Sequence, residues 1–233
     1  MSTLNYGPER YGLTLVVGGA EGTLFDISGI YANLANILNH FNDSQKYFNN
    51  ETESPSFLIK KKSKPEMSDV PSNFDAGSIY LMFDALLEVN RPEEDTNWKN
   101  LGSARKIGWK TGTSYGFRDA WAVGTTPEYV VGVWVGNAGG EGRPGLTGIN
   151  AAAPLMFNLF SSLPKTSWFN VPYDALIKVE VCKHSGFKAG RFCPETDTIF
   201  SSENSTRTSV CPYHQLIHVT SDKNSELQTP VKM

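Results

Sequence analysis

The chain has 233 residues, enough for one large domain or a medium domain with a small appendix. Its 39% hydrophobic, 12% aromatic and 19% charged residues exclude disorder or a fibre as a global description. Lys and Arg total 21 against 24 Asp and Glu, a net charge of -3. The one basic run, Lys60-Lys61-Lys62 with Lys64, reads as a solvated loop, so no nucleic-acid partner is expected. No apolar run approaches the roughly 18 residues of a membrane span, and Met1 to Arg10 lack the order of a signal peptide; this stretch of chain predicts neither membrane segment nor targeting signal.

Gly18-Gly19-Ala20-Glu21-Gly22 is glycine-rich, but no Gly-Lys-Ser/Thr follows, which makes it a turn rather than a phosphate loop. Apolar residues then recur at Ile27, Ile30, Tyr31, Leu34, Ile37, Leu38 and Phe41, the spacing of a one-faced helix with Asp26 placed to cap its first turn. Residues 42–72 are polar and proline-punctuated, reading as a long connection with one short strand at Ser56–Ile59. A second helix buries Ile79, Met82, Phe83, Leu86 and Leu87, is capped by Ser72 or Asp75, and ends at Arg91-Pro92, because the residue before proline is pushed out of helical geometry.

From Lys106 the period changes. Three β-rich runs, leading through Lys110-Thr111-Gly112-Thr113-Ser114, then Arg118–Val123, then Tyr129–Val135, alternate with turn chemistry and predict an antiparallel meander. Beyond a glycine-rich loop, Ala151-Ala152-Ala153-Pro154 opens a helix through Leu155, Met156, Leu159 and Phe160, with Pro154 tolerable in a first turn. From about Val171 the character shifts, with alternation at Leu176–Val181 and Leu216–Val219, all three cysteines, and a polar tail. The expected division is 1–165, a small β-rich module at 171–220, and a disordered tail at 221–233.

Lys110-Thr111-Gly112-Thr113-Ser114 carries the sharpest chemical signal. An ammonium and hydroxyls along one strand edge suit a substrate carboxylate, the glycine keeps that edge open to an extended peptide, and a backbone N–H beside it can serve an oxyanion. A bare Lys-Thr-Gly is common by chance, but its surroundings are specific. The run from Lys110 through Tyr115-Gly116-Phe117-Arg118-Asp119-Ala120-Trp121-Ala122-Val123-Gly124, then Val131-Gly132-Val133-Trp134-Val135-Gly136-Asn137, then Ala151-Ala152-Ala153-Pro154, closely resembles the end of the transpeptidase domain of a bifunctional penicillin-binding protein. Tyr11-Gly12-Leu13 through Glu21, Val181-Cys182-Lys183-His184-Ser185-Gly186 and Cys211-Pro212-Tyr213-His214 extend the resemblance over about residues 5–220.

The resemblance implies an α+β fold, part of the β-lactamase/transpeptidase-like architecture of an antiparallel sheet flanked by helices, followed by the small β-rich module. It implies a parent enzyme with glycosyltransferase and D,D-transpeptidase activities, working in the periplasm or cell envelope on peptidoglycan stem peptides and inhibited by β-lactams. Lys110, Thr111, Gly112, Thr113 and Ser114 would bind substrate; Lys110 and Thr113 would be catalytic, the Thr113 N–H donating to the oxyanion. No cofactor is expected. The family's Ser-x-x-Lys nucleophile and Ser-x-Asn wall have no convincing counterpart. Ser103-Ala104-Arg105-Lys106 fits the first by letters, but at about 3.3 Å per residue Ser103 lies roughly 23 Å from Lys110 along an extended lead-in. Ser202-Glu203-Asn204 fits the second but falls in the C-terminal module. The expectation is therefore a chain that begins downstream of the nucleophile, inactive alone, whose partner is the missing upstream half of the domain; the alternative is a non-catalytic module binding peptidoglycan or a partner.

Cys182, Cys193, Cys211 and His214 form C-x10-C-x17-C-x2-H, one ligand set for tetrahedral zinc. A disulfide such as Cys182–Cys193 suits a family working outside the cytoplasm and leaves one thiol over, and free thiols are the third reading. The three stay open, and no metal is assigned. His40, His184 and His218 read as surface or packing residues.

Overall fold

The computed structural model describes residues 8–48, 56, 66–71, 73–89 and 105–216. The chain divides into two units, Met1–Pro172 and Tyr173–Met233.

In the first unit a helical turn, α1 (Pro8–Tyr11), runs into a 3-10 segment at Gly12–Val17 that closes on Gly18 in the left-handed region. Helix α2 spans Leu24–Ser44. Its N-cap is Thr23, not Asp26: the Thr23 hydroxyl accepts from the Asp26 N–H and donates to the Asp26 carboxylate. The two side chains act as a reciprocal cap, with Asp26 in the first turn, where an acid is favoured by the helix dipole. Ile37, Leu38 and Phe41 are buried as the spacing predicts, but Ile30 is exposed, and Gly29 and Ala35, outside the predicted stripe, are buried.

The connection after α2 carries strands that its composition does not announce. Strands β1 (Tyr47–Phe48) and β2 (Met67–Ser68) pair antiparallel into a small ribbon. Of the strand expected at Ser56–Ile59, only Ser56 lies among the described residues, and it is not in a strand. The Tyr47 hydroxyl accepts from the buried Ala76 N–H, and Asp75 accepts from Ser78 N, so both satisfy first-turn donors of helix α3 (Ala76–Leu87). Ile79, Phe83 and Leu87 form its buried stripe, and the helix ends at Leu87, ahead of Arg91-Pro92, which with Ser72 lies outside the described residues.

The meander is present: β3 (Gly108–Thr113), β4 (Asp119–Thr125) and β5 (Val130–Gly136) pair antiparallel in the order β3-β4-β5. Register pairs Lys110 with Val123, Thr111 with Ala122, Gly112 with Trp121 and Thr113 with Ala120, and Ala122 with Val133. Side chains opposite one another share a face, so the strands sort into two sets. One face carries Trp109, Thr111, Thr113, Ala120, Ala122, Gly124 and Val133. Against it lies helix α4 (Ala153–Ser161), whose Met156 and Phe160 are buried with Ile107, Trp109, Ala120, Ala122 and Val133. The other face carries Gly108, Val123 and Gly132. There Gly108 lies under Phe83 and Leu86 of α3, and Gly132 under Leu24 and Ser28 of α2. The result is an α+β unit in which an antiparallel sheet is flanked by helices.

The helical segment that leads into α4 begins earlier than Ala151. Thr147 accepts from Asn150 N and opens a π-helical turn over Gly148–Ala152, with the Ala153 N–H reaching back to Gly148 O. Pro154 then sits in the first turn of the regular helix. At its far end Arg105, just ahead of β3, donates to the carbonyls of Phe160, Leu163 and Pro164, the end of a helix where a cation is stabilised.

In the second unit β6 (Ile177–Cys182) pairs with β7 (Thr196–Ser201) in a two-stranded antiparallel sheet. Of the alternating stretch at Leu216–Val219 only Leu216 lies among the described residues. Strand β7 is exposed along nearly its whole length, and a strand with no buried face leaves no alternation to read.

Among the described residues β5 pairs only with β4, and Tyr129–Val135 holds neither charge nor proline, the profile of an edge that recruits further strands. Sedimentation velocity on this chain is expected to show concentration-dependent self-association; a monomer at all concentrations would show that the β5 edge is adequately protected.

Candidate functional site

The five motif residues are brought together on and just beyond β3, the strand that pairs with β4 alone among the described residues. Trp109, one residue before the motif, anchors it: its ring is fully buried, meets Phe157 edge-on at 5.1 Å, and its Nε1 donates to Val89 O at 3.3 Å. Lys110 is exposed and its Nζ donates to Thr111 O at 2.6 Å, so the ammonium folds along its own strand. Thr111 is half-buried, while Gly112 and Thr113 are exposed.

The Thr113 hydroxyl is the most constrained of the set. Its Oγ1 accepts the Gly148 N–H at 3.0 Å, from the first residue of the π-helical turn. A hydroxyl has one proton and two lone pairs; with a lone pair engaged by Gly148, its proton is left to donate to an anion. Gly148 reaches this position because it lacks a side chain. A Cβ there would lie 2.5 Å from Trp121 O, 2.6 Å from Gly112 O and 2.8 Å from Thr111 Cβ. In the sequence Gly148 merely closes the glycine-rich loop that follows β5; its role depends on β3 and the π-helical turn meeting, which no local signal announces.

Ser114 is occupied in holding the hairpin. Its N–H donates to Asp119 O at 3.0 Å, and its hydroxyl accepts the Asp119 N–H at 2.8 Å. Because successive N–H groups of an extended chain point to opposite sides, the Ser114 bond toward β4 turns the Thr113 N–H to the outer side of β3. The turn between the strands places Gly116 and Phe117 at positive φ. It is braced by the glycine-rich loop: Arg143 N donates to Phe117 O at 3.0 Å, and a Cβ on Gly142 would fall 2.0 Å from Gly116 O.

Of the two letter-matches to the missing motifs, Ser103 lies outside the described residues. Ser202 is in the second unit, buried at the head of the 3-10 segment Glu203–Arg207.

The second unit gathers a different constellation. The ligand atoms of Cys182, Cys193, Cys211 and His214 all lie within 4.8 Å of one another, and the three sulfurs are not bonded to each other. The Ser185 hydroxyl against Cys211, with the Tyr213 and His214 backbone, holds that thiol down at about 6, burial opposing. Ser185 also lowers Cys182. At Cys193 the Gly190 N–H works downward, but burial and the neighbouring sulfurs prevail and raise it. The bond to Cys211 Sγ raises His214.

No family model matches the chain. Curated relatives do. The chain is 29% identical to penicillin-binding protein 1C of Escherichia coli over 70% of its own length, 23% identical to penicillin-binding protein 1A of Clostridium perfringens over 95%, and 28% identical to penicillin-binding protein 1A of Rickettsia bellii over 57%. These three relatives are penicillin-binding proteins of the 1C and 1A types. The chain spans 18%, 28% and 19% of the length of these three. The sheet flanked by helices, with Lys110-Thr111-Gly112-Thr113 on its outer strand, fits the transpeptidase-like fold. No helix among the described residues is long and apolar enough to cross a membrane.

The contact between Gly148 and Thr113 is testable apart from any activity. Gly148→Ala is expected to cost ~1–3 kcal/mol, the range for forcing extra volume into a packed contact, measured by urea unfolding in dilute solution. Thr113→Val should speed amide exchange at Gly148 and Thr113→Ser should not; equal exchange in all three proteins would dismiss the hydrogen bond.

Proposed function

We propose that this chain supplies the carboxylate-binding and oxyanion wall of a penicillin-binding D,D-transpeptidase of peptidoglycan synthesis, in the cell envelope, with the acylated serine contributed by a segment outside this chain. Residues 1–165 are then the C-terminal part of the transpeptidase domain, and 171–220 an appended module. The observation that carries the reading is the outer edge of β3, where an exposed lysine, two threonines and a glycine lie in sequence, with the Thr113 hydroxyl already engaged as an acceptor by Gly148.

The chemistry follows from those groups. A stem peptide ending in D-Ala-D-Ala, or a β-lactam mimicking it, presents an extended backbone and a carboxylate. The backbone aligns along the free side of β3 at Gly112, where no side chain intervenes. Thr111 and Thr113 donate hydroxyl protons to the carboxylate, and Lys110, once its ammonium leaves the Thr111 carbonyl, adds the opposing charge. The outward Thr113 N–H lies where a carbonyl oxygen becomes an oxyanion when a serine attacks, and a fixed donor there lowers the barrier without reorganisation. The serine ester forms as the terminal D-alanine leaves, and an amine on a second strand then displaces the serine. The Ser114 hydroxyl accepts the Asp119 N–H and, like that of Thr113, keeps a proton with which to donate at the end of the carboxylate-binding edge.

A fluorescent penicillin provides the test. This chain alone is expected to form no covalent adduct by mass spectrometry. In an enzyme that joins it to the nucleophile-bearing segment, Thr111→Val and Thr113→Val should each slow acylation by roughly 10-fold to 150-fold, from the ~1.5–3 kcal/mol of a hydrogen bond to a charged group. Lys110→Ala should cost at least as much. Unchanged acylation in all three variants would falsify the site assignment, and a stoichiometric adduct on a serine of the isolated chain would remove the claim that the nucleophile lies elsewhere.

A further inference from the structure

The second unit has few buried apolar side chains to hold it together. Among its described residues the buried apolar side chains are Leu176, Cys182 and Cys211, while Ile199, Phe200, Val210, Tyr213 and Leu216 are exposed. A two-stranded sheet of this kind is marginal without a staple. The geometry points to a structural zinc site in this unit, with Cys182, Cys193, Cys211 and the Nδ1 of His214 as its four ligands.

Three arguments carry the assignment. The first is the position of the nitrogen. His214 Nδ1 lies 3.4 Å from both Cys182 Sγ and Cys211 Sγ. Zinc–sulfur and zinc–nitrogen bonds of about 2.3 and 2.0 Å at tetrahedral angles give a sulfur–nitrogen edge of about 3.5 Å. A disulfide between two of these cysteines would require neither the third sulfur nor a ring nitrogen equidistant from two sulfurs.

The second is that the backbone delivers each ligand from a different segment and fixes it there. Cys182 ends β6, and its N–H and carbonyl close a loop with Phe187 O and Gly186 N, both at 2.8 Å. Cys193 N donates to Gly190 O at 3.0 Å, closing a second turn. Cys211 N donates to Lys188 O at 2.9 Å, and Lys188 bridges to both Val181 and Val210, tying the third segment to the first.

The third is the surrounding hydrogen bonding. The Gly190 N–H donates to Cys193 Sγ at 3.3 Å, and the Ser185 hydroxyl lies 3.2 Å from Cys211 Sγ. Donors aimed at sulfur stabilise thiolates and orient them, as partners around a metal's ligands do. Three thiolates and a neutral imidazole complete a tetrahedron with no open position, the pattern of structural rather than catalytic zinc. Binding displaces the thiol protons, up to three per ion, and its free energy becomes folding free energy of the unit.

The test uses the full chain purified under reducing, anaerobic conditions, and reads metal per chain, so self-association does not affect it. Elemental analysis should return one zinc per chain. After exchange, cobalt(II) should bind at a 1:1 ratio with the intense visible bands of a tetrahedral thiolate site, and chelation should speed amide exchange in β6 and β7. Cys211→Ser should lose the metal. Because that variant can fail to fold, His214→Cys serves beside it: it should retain one metal ion and show a stronger thiolate-to-cobalt charge-transfer band. A metal-free wild-type chain, whether its cysteines map to a disulfide or titrate as free thiols, would overturn the site. So would a pale octahedral cobalt spectrum.

Discussion

The first unit depends on the close approach of helix α4 to the middle strand of its sheet. Ala120, Ala122 and Gly124 present one face of β4 with little or no side chain, and Met156 and Phe160 fill the space that leaves. Apolar burial at about 25 cal/mol per Å² makes this layer a principal source of cohesion, and its dimensions leave no room for larger residues: a Cβ at Gly124 would lie 2.5 Å from Phe160. The helix that presses here is continuous with the π-helical turn whose Gly148 meets Thr113. Core packing and the placement of a candidate substrate-binding hydroxyl are thus one mechanical fact.

This coupling explains why the motif lies where it does. Trp109 on one side and the hairpin bonds of Ser114 on the other pin β3 at both ends of a four-residue stretch, which keeps its outer side extended and accessible. Rigid backbone with exposed polar groups is what recognition of an extended peptide asks for, since little ordering remains to be done on binding. Phe117 at positive φ and the contact of Gly142 with Gly116 show how tightly the neighbouring turn is held.

The second unit is built on another principle. Its sheet has two strands and few buried apolar residues, so its order rests on backbone bonds that run between the turns carrying Cys182, Cys193 and Cys211. Where a hydrophobic core supplies much of the cohesion of the first unit, polar and sulfur contacts supply it here.

The sequence by itself determined helices α2, α3 and α4, the meander and the location of the motif, because each is written in local periodicity or in contiguous residues: Ile37, Leu38 and Phe41 on one helical face, and three β-rich runs separated by turns. It also determined the family likeness, which rests on contiguous runs such as Lys110 to Gly124. Tertiary structure decided what depends on residues distant in the chain. One local choice also escaped the sequence, since Thr23 and Asp26 are both capping residue types three apart and it is Thr23 that caps α2. Strand β7 was illegible because it has no buried face. The bond from Gly148 to Thr113 spans 35 residues, and the 3.4 Å approach of His214 to Cys182, which the spacing left as one of three readings, spans 32. Such contacts arise from the way whole elements pack, and a linear pattern of residue types carries no record of that.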